Sequence, residues 1–407
     1  MVYKSCHLEG NFVLKKLLNK NTIVGVFLVL FVFQALIERL IPFFSYFDEF
    51  VAMAAILYAM CRLISSRKFT VKKPYLVMSL CVFVYFLLAS VSTLIYHYQN
   101  LFHSLAGAFL SLKWFFLMIG GYYIYPLIKG LNRKSLKNTV FLVTVVLFVW
   151  TIHTKFLSAV IPLLVEVTMW DLCAKCLLLT AITLALFEKN RIEYAVIILN
   201  CVMLALSGKA KGFGALALIA LVSFWTMFKG KKFKLYQLFA AAFVVIAAGW
   251  QKIHFYFIEG KRLQYARYML YETSAKIAND YFPLGTGWST FGSHYAAERY
   301  SPVYFIYGLG FHRELGYYNH MFLNDSYWPI VIAESGWLGF AAVLGFCIVL
   351  YFCIDRLFSN SKKFYAAGIV VLGYMMITSL EETGFQQPVL SGLGVLMGLL
   401  LAAGSNE

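Results

Sequence analysis

Charge is scarce in this chain: only 13% of its 407 residues are Asp, Glu, Lys or Arg, about half the share in an ordinary soluble domain. Proline is sparse too, with 8 in the whole sequence, so long stretches run without a helix breaker. No repeat of fixed period and no low-complexity linker divides the chain, which excludes a solenoid or a string of modules. The 8 cysteines avoid residues 250–326, so no disulfide can staple that stretch. Cys173 and Cys176 have CxxC spacing but no second pair nearby, and their apolar surroundings suit packing rather than zinc or redox chemistry. The segments between apolar runs hold no cluster with metal-ligand spacing, and metal-independent chemistry without a cofactor is expected.

Apolar residues are what the chain has in excess. It is 61% hydrophobic and 18% aromatic, with runs long enough to cross a bilayer from one end to the other. The expected fold is all-α, a polytopic transmembrane helix bundle of about 12 spans forming one integral membrane domain over residues 1–407. The spans fall near 22–41, 45–61, 74–96, 105–128, 138–152, 170–187, 193–207, 212–228, 235–250, 327–353, 364–380 and 388–403. The first follows Lys15, Lys16 and Lys20, but no small-residue cleavage site follows it, so it reads as a retained span. Residues 153–169, apolar but carrying Pro162 and Glu166, suit a re-entrant or interfacial helix.

The net charge of +16 would suit a nucleic-acid partner, but its distribution argues against one. Lys and Arg recur in alternate connections, among them Arg62 to Lys73, Lys129 to Lys137, Lys229 to Lys234 and Arg356 to Lys363. The connections at 42–49, 97–103 and 381–387 contain neither, and hold Asp48, Glu49, Glu381 and Glu382 instead. This is the positive-inside pattern; it places both termini in the cytoplasm and the acidic connections outside.

Two outward connections break the rule. The short turn Ser207 to Gly212 carries Lys209 and Lys211, and the large loop at 250–326, between spans 9 and 10, carries Lys252, Lys261, Arg262, Arg267, Lys276, Arg299 and Arg313. Long loops translocate largely regardless of charge, which accounts for the loop but poorly for the turn. Anion binding is the alternative for both. Within the loop, Ile253 to Asp280 has helical spacing with basic and aromatic faces, suited to the membrane surface. Pro283 then ends the helix, and Gly285 and Gly287 permit a tight turn whose amides could hold a phosphate.

The stretch Pro283 to Gly292 (PLGTGWSTFG), followed by a polar residue and the A-E-x-G-x-x-G start at Ala333 to Gly339, resembles the O-antigen ligase and polymerase superfamily. These polytopic enzymes act on glycans carried by undecaprenyl pyrophosphate. The resemblance covers most of the chain in topology, and in motif about residues 205–215 and 260–340. An Arg some twenty residues before the glycine turn belongs to the pattern, with Arg262 or Arg267 in its place. In the ligase branch a His stands about nine residues before the motif Glu; here that place holds Asp325, and His320 lies further upstream. The chain therefore looks more like the polymerase branch (Wzy type). Tyr46-Phe47-Asp48-Glu49 and the 381–388 stretch EETGFQQP are similar to capsule and O-antigen polymerases.

The resemblance implies a GT-C-like glycosyltransferase of the bacterial inner membrane with its active face in the periplasm. It would move a growing glycan from undecaprenyl pyrophosphate to a sugar hydroxyl of another lipid-linked repeat unit. The partners implied are that lipid-linked oligosaccharide, membrane lipids and a chain-length regulator. The leaving pyrophosphate needs cations, for which Arg262, Arg267, Lys209 and Lys211 are candidates. The attacking hydroxyl needs a base, with Asp325 first and His320 second. Asp325 could instead cap the helix that follows it. Glu38 and Arg39, near the outer end of span one, stand level with this site, although ionisable residues in spans commonly pair structurally. The rival readings are an O-antigen ligase delivering glycan to lipid A core, and a flippase for lipid-linked oligosaccharide, which is not an enzyme.

Overall fold

The computed structural model describes residues 19–65, 73–156, 171–233, 237, 250–319 and 321–405. Helices account for every regular element in them: α1 (Lys20–Leu40), α2 (Phe47–Ser65), α3 (Lys73–Tyr96), α4 (Leu101–Ile128), α5 (Arg133–Phe156), α6 (Leu172–Ala185), α7 (Arg191–Leu206) and α8 (Ala210–Val222). The large loop contains α9 (Trp250–Ile253), α10 (Gly260–Leu263), α11 (Ala266–Asp280), α12 (His294–Glu298) and α13 (Pro302–Ile306). The chain then returns to the bundle with α14 (Tyr327–Asn360), α15 (Lys362–Thr378) and α16 (Pro388–Ser405).

Seven described helices are long and apolar enough to cross a membrane: α1, α3, α4, α5, α8 with the π-turn that extends it to Met227, α14 and α16. The others are shorter or more charged and pack among them. Most of the expected ninth span, 235–250, and most of the expected re-entrant stretch, 153–169, lie outside the described residues.

The centre of the bundle is α4, which packs along both α16 and α2. Small residues make this approach possible: a Cβ on Gly121 would overlap the Val395 carbonyl, and one on Gly398 the Met118 carbonyl. In lipid, where apolar burial does not drive helices together, such close backbone contact is a principal source of association. A second group joins α5, α6, α7, α8 and α15 side by side. At the Lys/Arg-rich end, Lys137 of α5 bridges Glu188 and Glu193, each at 2.6 Å.

The large loop is not one surface helix. Its first part breaks into α9, a π-turn at His254–Glu259, and α10. Gln264, left-handed at φ 52°, then redirects the chain into α11. That helix packs along α14, and the rest of the loop folds onto it through a separate core that includes Leu270, Ile277, Phe291, Tyr304 and Leu323. The loop is thus a packed cap on one end of the bundle.

Candidate functional site

The turn between α7 and α8 is held by Ser207, whose hydroxyl donates to the Leu204 carbonyl at 2.6 Å and accepts from Lys209 N at 3.4 Å. Gly208 takes the left-handed conformation between them. Lys209 becomes the N-cap residue of α8, and Lys211 falls in its first turn, where the helix dipole is unfavourable to a cation. Lys211 is nevertheless buried, its side chain 2% exposed, because Glu382 pairs with it directly. The other Glu382 oxygen accepts from Gln387 Nε2 at 2.7 Å.

Arg267 sits in the first turn of α11. Its Nη2 donates to Asp325 Oδ2 at 2.6 Å and to the Glu381 carbonyl at 3.2 Å, and its guanidinium lies 4.3 Å from the Tyr256 ring centre. Its Nε is buried without a partner among the described residues. Asp325 is not the helix cap that its position also allowed: Ser326 holds that place, and α14 begins at Tyr327. Burial raises the Asp325 carboxyl above the ordinary carboxylate range, and Arg267 only partly offsets this. The 381–387 connection therefore stands between two cation–carboxylate pairs that are far apart in sequence.

The same connection runs into the bundle. Phe385 packs on Trp114 and Phe115, at 5.2 and 6.0 Å between ring centres. These residues are more than three turns into α4, roughly 18 Å from its start at 1.5 Å per residue. At that depth lies a second ionic group, in which Lys113 pairs with Asp48 and, at 3.1 Å, with Glu49. Asp48 also accepts from Gln34 Nε2 at 2.9 Å and Ser391 Oγ at 3.0 Å. Gln387, just before α16, bonds Glu382 of the Lys211 pair, and Ser391, one turn further on, bonds Asp48 of the Lys113 group, so the two ionic groups lie on neighbouring turns of the same segment. Asp48 of one acidic connection thus contacts Ser391, shortly beyond the other connection at 381–388.

Glu38 is exposed near the end of α1, within electrostatic range of Asp171 and Asp48; Arg39 beside it is exposed as well. Lys209 is half-buried, and Lys175, Lys209 and Lys211 surround Asp171 at the start of α6. Arg262 lies exposed on α10 and forms no ion pair among the described residues, so of the two candidate arginines only Arg267 joins the polar layer. His320 falls outside the described residues.

Gly285 and Gly287 serve close packing. A Cβ on Gly285 would overlap the Ala333 carbonyl, and one on Gly287, at φ 95°, would crowd the Thr93 backbone. The Gly287 amide donates to the Glu334 carbonyl at 3.0 Å, and the Thr286 amide to that of Ala333 at 2.9 Å, so neither is offered to a phosphate. The Glu334 side chain is fully buried, and its Oε1 accepts from Thr290 N at 3.1 Å, Phe291 N at 3.5 Å and Ser293 Oγ at 2.7 Å. The two motifs that stood out in sequence are thus one unit, in which the A-E-x-G helix clamps the glycine turn. Glu334→Ala would leave these donors without an acceptor, at about 1–3 kcal/mol each. We expect a clear drop in the thermal unfolding midpoint of the purified protein and faster proteolysis within 281–300. An unchanged midpoint would remove the clamp.

Gln34, Gln387 and Ser391 were not among the residues that the sequence marked as candidates for the site. The available signal was a polar side chain in an apolar run, which in a bilayer has to face a partner or a cavity. No protein-family model matches the chain, and no match was found among curated proteins.

Proposed function

We propose that the chain is a membrane glycosyltransferase that polymerises a surface polysaccharide, moving a growing glycan from undecaprenyl pyrophosphate to a sugar hydroxyl of another lipid-linked repeat unit. The observation that carries this reading is the pair of cations Arg267 and Lys211, each sequestered by a carboxylate and linked by the 381–387 connection, at one end of an apolar bundle. A pyrophosphate joined to a membrane lipid presents its charge near the end of such a bundle. Arg267 can hold two of its oxygens in one plane while Lys211 adds a point charge, and both stabilise the charge that grows on the leaving group. Pyrophosphate on Arg267 would compete with Asp325 and release a carboxylate able to accept the hydroxyl proton. The resemblance in the glycine-turn and A-E-x-G motifs supports the same class, as does Asp325 where the ligase branch has His. With it come the twelve-span, GT-C-like architecture, the inner-membrane location with a periplasmic active face, and a chain-length regulator as partner.

Deleting the gene and resolving surface glycan on a gel separates this reading from its rivals. The polymerase leaves single repeat units attached to core. Long chains retained on the undecaprenyl carrier would mean a ligase, and complete loss of surface glycan a flippase.

A further inference from the structure

The start of α11 is poorly specified by its own residues. Tyr265 holds the N-cap position, where its side chain caps nothing, and the first turn contains Arg267 but no acidic residue. Both are a poor match to the unpaired amides and positive dipole end of a helix. The corner just before it is strained as well, since Gln264 is left-handed at φ 52° and ψ 47°. A residue other than glycine stays in that region only where its surroundings over-determine it. Arg267 lies three residues beyond this corner, so whatever holds the corner also sets the course of its side chain.

The hold comes from one turn, 48 positions further along the chain. Glu314 Oε2 accepts from the Ala266 amide at 2.9 Å, which replaces the missing cap. His312 Nε2 lies 2.7 Å from the Gln264 carbonyl; a carbonyl can only accept, so this nitrogen carries the hydrogen and donates. Its Nδ1 accepts from Glu314 N at 3.1 Å and Leu315 N at 3.2 Å. The ring is therefore held in one tautomer and one orientation. The turn is tied down in its own right. The buried Tyr300 hydroxyl donates toward the Leu309 and Leu315 carbonyls at 3.1 and 2.9 Å, and the Gly316 amide donates to the His312 carbonyl at 2.8 Å. Two side chains of a fixed turn thus grip the backbone on either side of Tyr265.

We propose that His312 and Glu314 are positioning residues for Arg267, locking the Gln264 corner so that the guanidinium is aimed at the pyrophosphate of the donor. This rests on the polymerase reading and extends its machinery into the cap. Neither residue touches the donor or moves a proton; both act through the backbone at the start of α11. A guanidinium holds two oxygens only when its plane is correctly presented. A loosened corner would therefore weaken binding even though Arg267 keeps its charge.

The test uses full-length protein in nanodiscs with undecaprenyl pyrophosphate as binding probe. Glu314→Ala leaves the Ala266 amide without its acceptor, and Glu314→Gln keeps an acceptor in the side-chain amide oxygen. His312→Asn places an oxygen where Nδ1 stood, so the turn keeps its bonds and only the bond to the Gln264 carbonyl is lost. Glu314→Ala and His312→Asn are each expected to weaken probe binding about tenfold, the scale of one hydrogen bond, and Glu314→Gln to recover most of that loss. The decisive measurement repeats both changes in Arg267→Ala protein. Positioning acts through Arg267, so there they should alter the residual binding by less than about twofold. An equal loss in both backgrounds would make the turn a brace for the whole fold and overturn the proposal. Wild-type binding in both single variants would overturn it as well, and if Glu314→Ala does not fold, His312→Asn decides alone. Wild-type protein that fails to bind the probe, or Arg267→Ala that binds it like wild type, would instead overturn the pyrophosphate site and the positioning role with it.

Discussion

Arg267→Ala is expected to abolish long-chain glycan while leaving the amount of membrane-inserted protein unchanged. Of the two candidate arginines, Arg267 is the one that reaches the polar layer, and it joins α11 to Asp325 and to the Glu381 carbonyl. Removing a fixed donor aimed at developing charge slows a reaction roughly 100- to 1,000-fold, enough to erase polymer from a gel. Arg267→Lys should recover only part of the activity, since an ammonium keeps the charge but not the planar fork. Chains of normal length in Arg267→Ala would take the pyrophosphate away from this residue.

The same pair gives a pH dependence. Burial, only partly offset by Arg267, raises the Asp325 carboxyl. The folded chain then holds this proton more tightly than the unfolded one does. Its contribution to stability is therefore fully present below the ordinary carboxylate value and is lost as pH rises through the raised value. The proposed role as base requires Asp325 to be ionised, so the polymerisation rate should fall on acidification through the raised value, above the usual carboxylate range. Asp325→Asn should abolish polymer, and Asp325→Glu should keep the acid limb at reduced rate. A rate that stays flat down to the ordinary range would remove Asp325 as the base.

Gly336→Ala should have the largest effect on folding. Gly336 adopts φ 68° inside α14, and a Cβ there would overlap the Leu284 carbonyl of the glycine turn. Forcing a side chain into this backbone region costs about 1–3 kcal/mol, and overpacking adds about 1–3 kcal/mol more. Together these take a large part of the roughly 5–15 kcal/mol by which domains are stable. Gly308 provides a milder comparison: at φ 72° and ψ 13° it is left-handed helical, a region less costly to a side chain than that of Gly336 (ψ −175°), and a Cβ there meets nothing within 4 Å, so Gly308→Ala bears a smaller backbone term alone. Thermal unfolding of the two variants in detergent should show the Gly336 change lowering the midpoint by about twice as much or more. Equal shifts would mean that the turn and α14 are not locked together.

Much of the architecture was legible in the residues because a bilayer imposes simple rules. Apolar run length predicts helices, and the helices observed stand where the runs do. The A-E-x-G and glycine-turn motifs were visible, but sequence could not show that they touch. Gly285 and Gly287 looked like a phosphate cradle until the Ala333 and Glu334 carbonyls were seen to occupy the Thr286 and Gly287 amides. Arg262 and Arg267 were equivalent in sequence. The left-handed turn at Gln264 and the separate course of α11 leave one exposed and bring the other to Asp325.

What the sequence determined by itself is a helical membrane protein with an uneven charge distribution and one large polar loop, since hydropathy and Lys/Arg placement are local, additive properties read segment by segment. Only the tertiary structure decided which ionisable groups share a site. Lys211 meets Glu382 across 171 positions, and Ser391 meets Asp48 across 343. Such pairings follow from how the helices pack, and helix packing depends on side-chain shape at every crossing at once, which no single segment records.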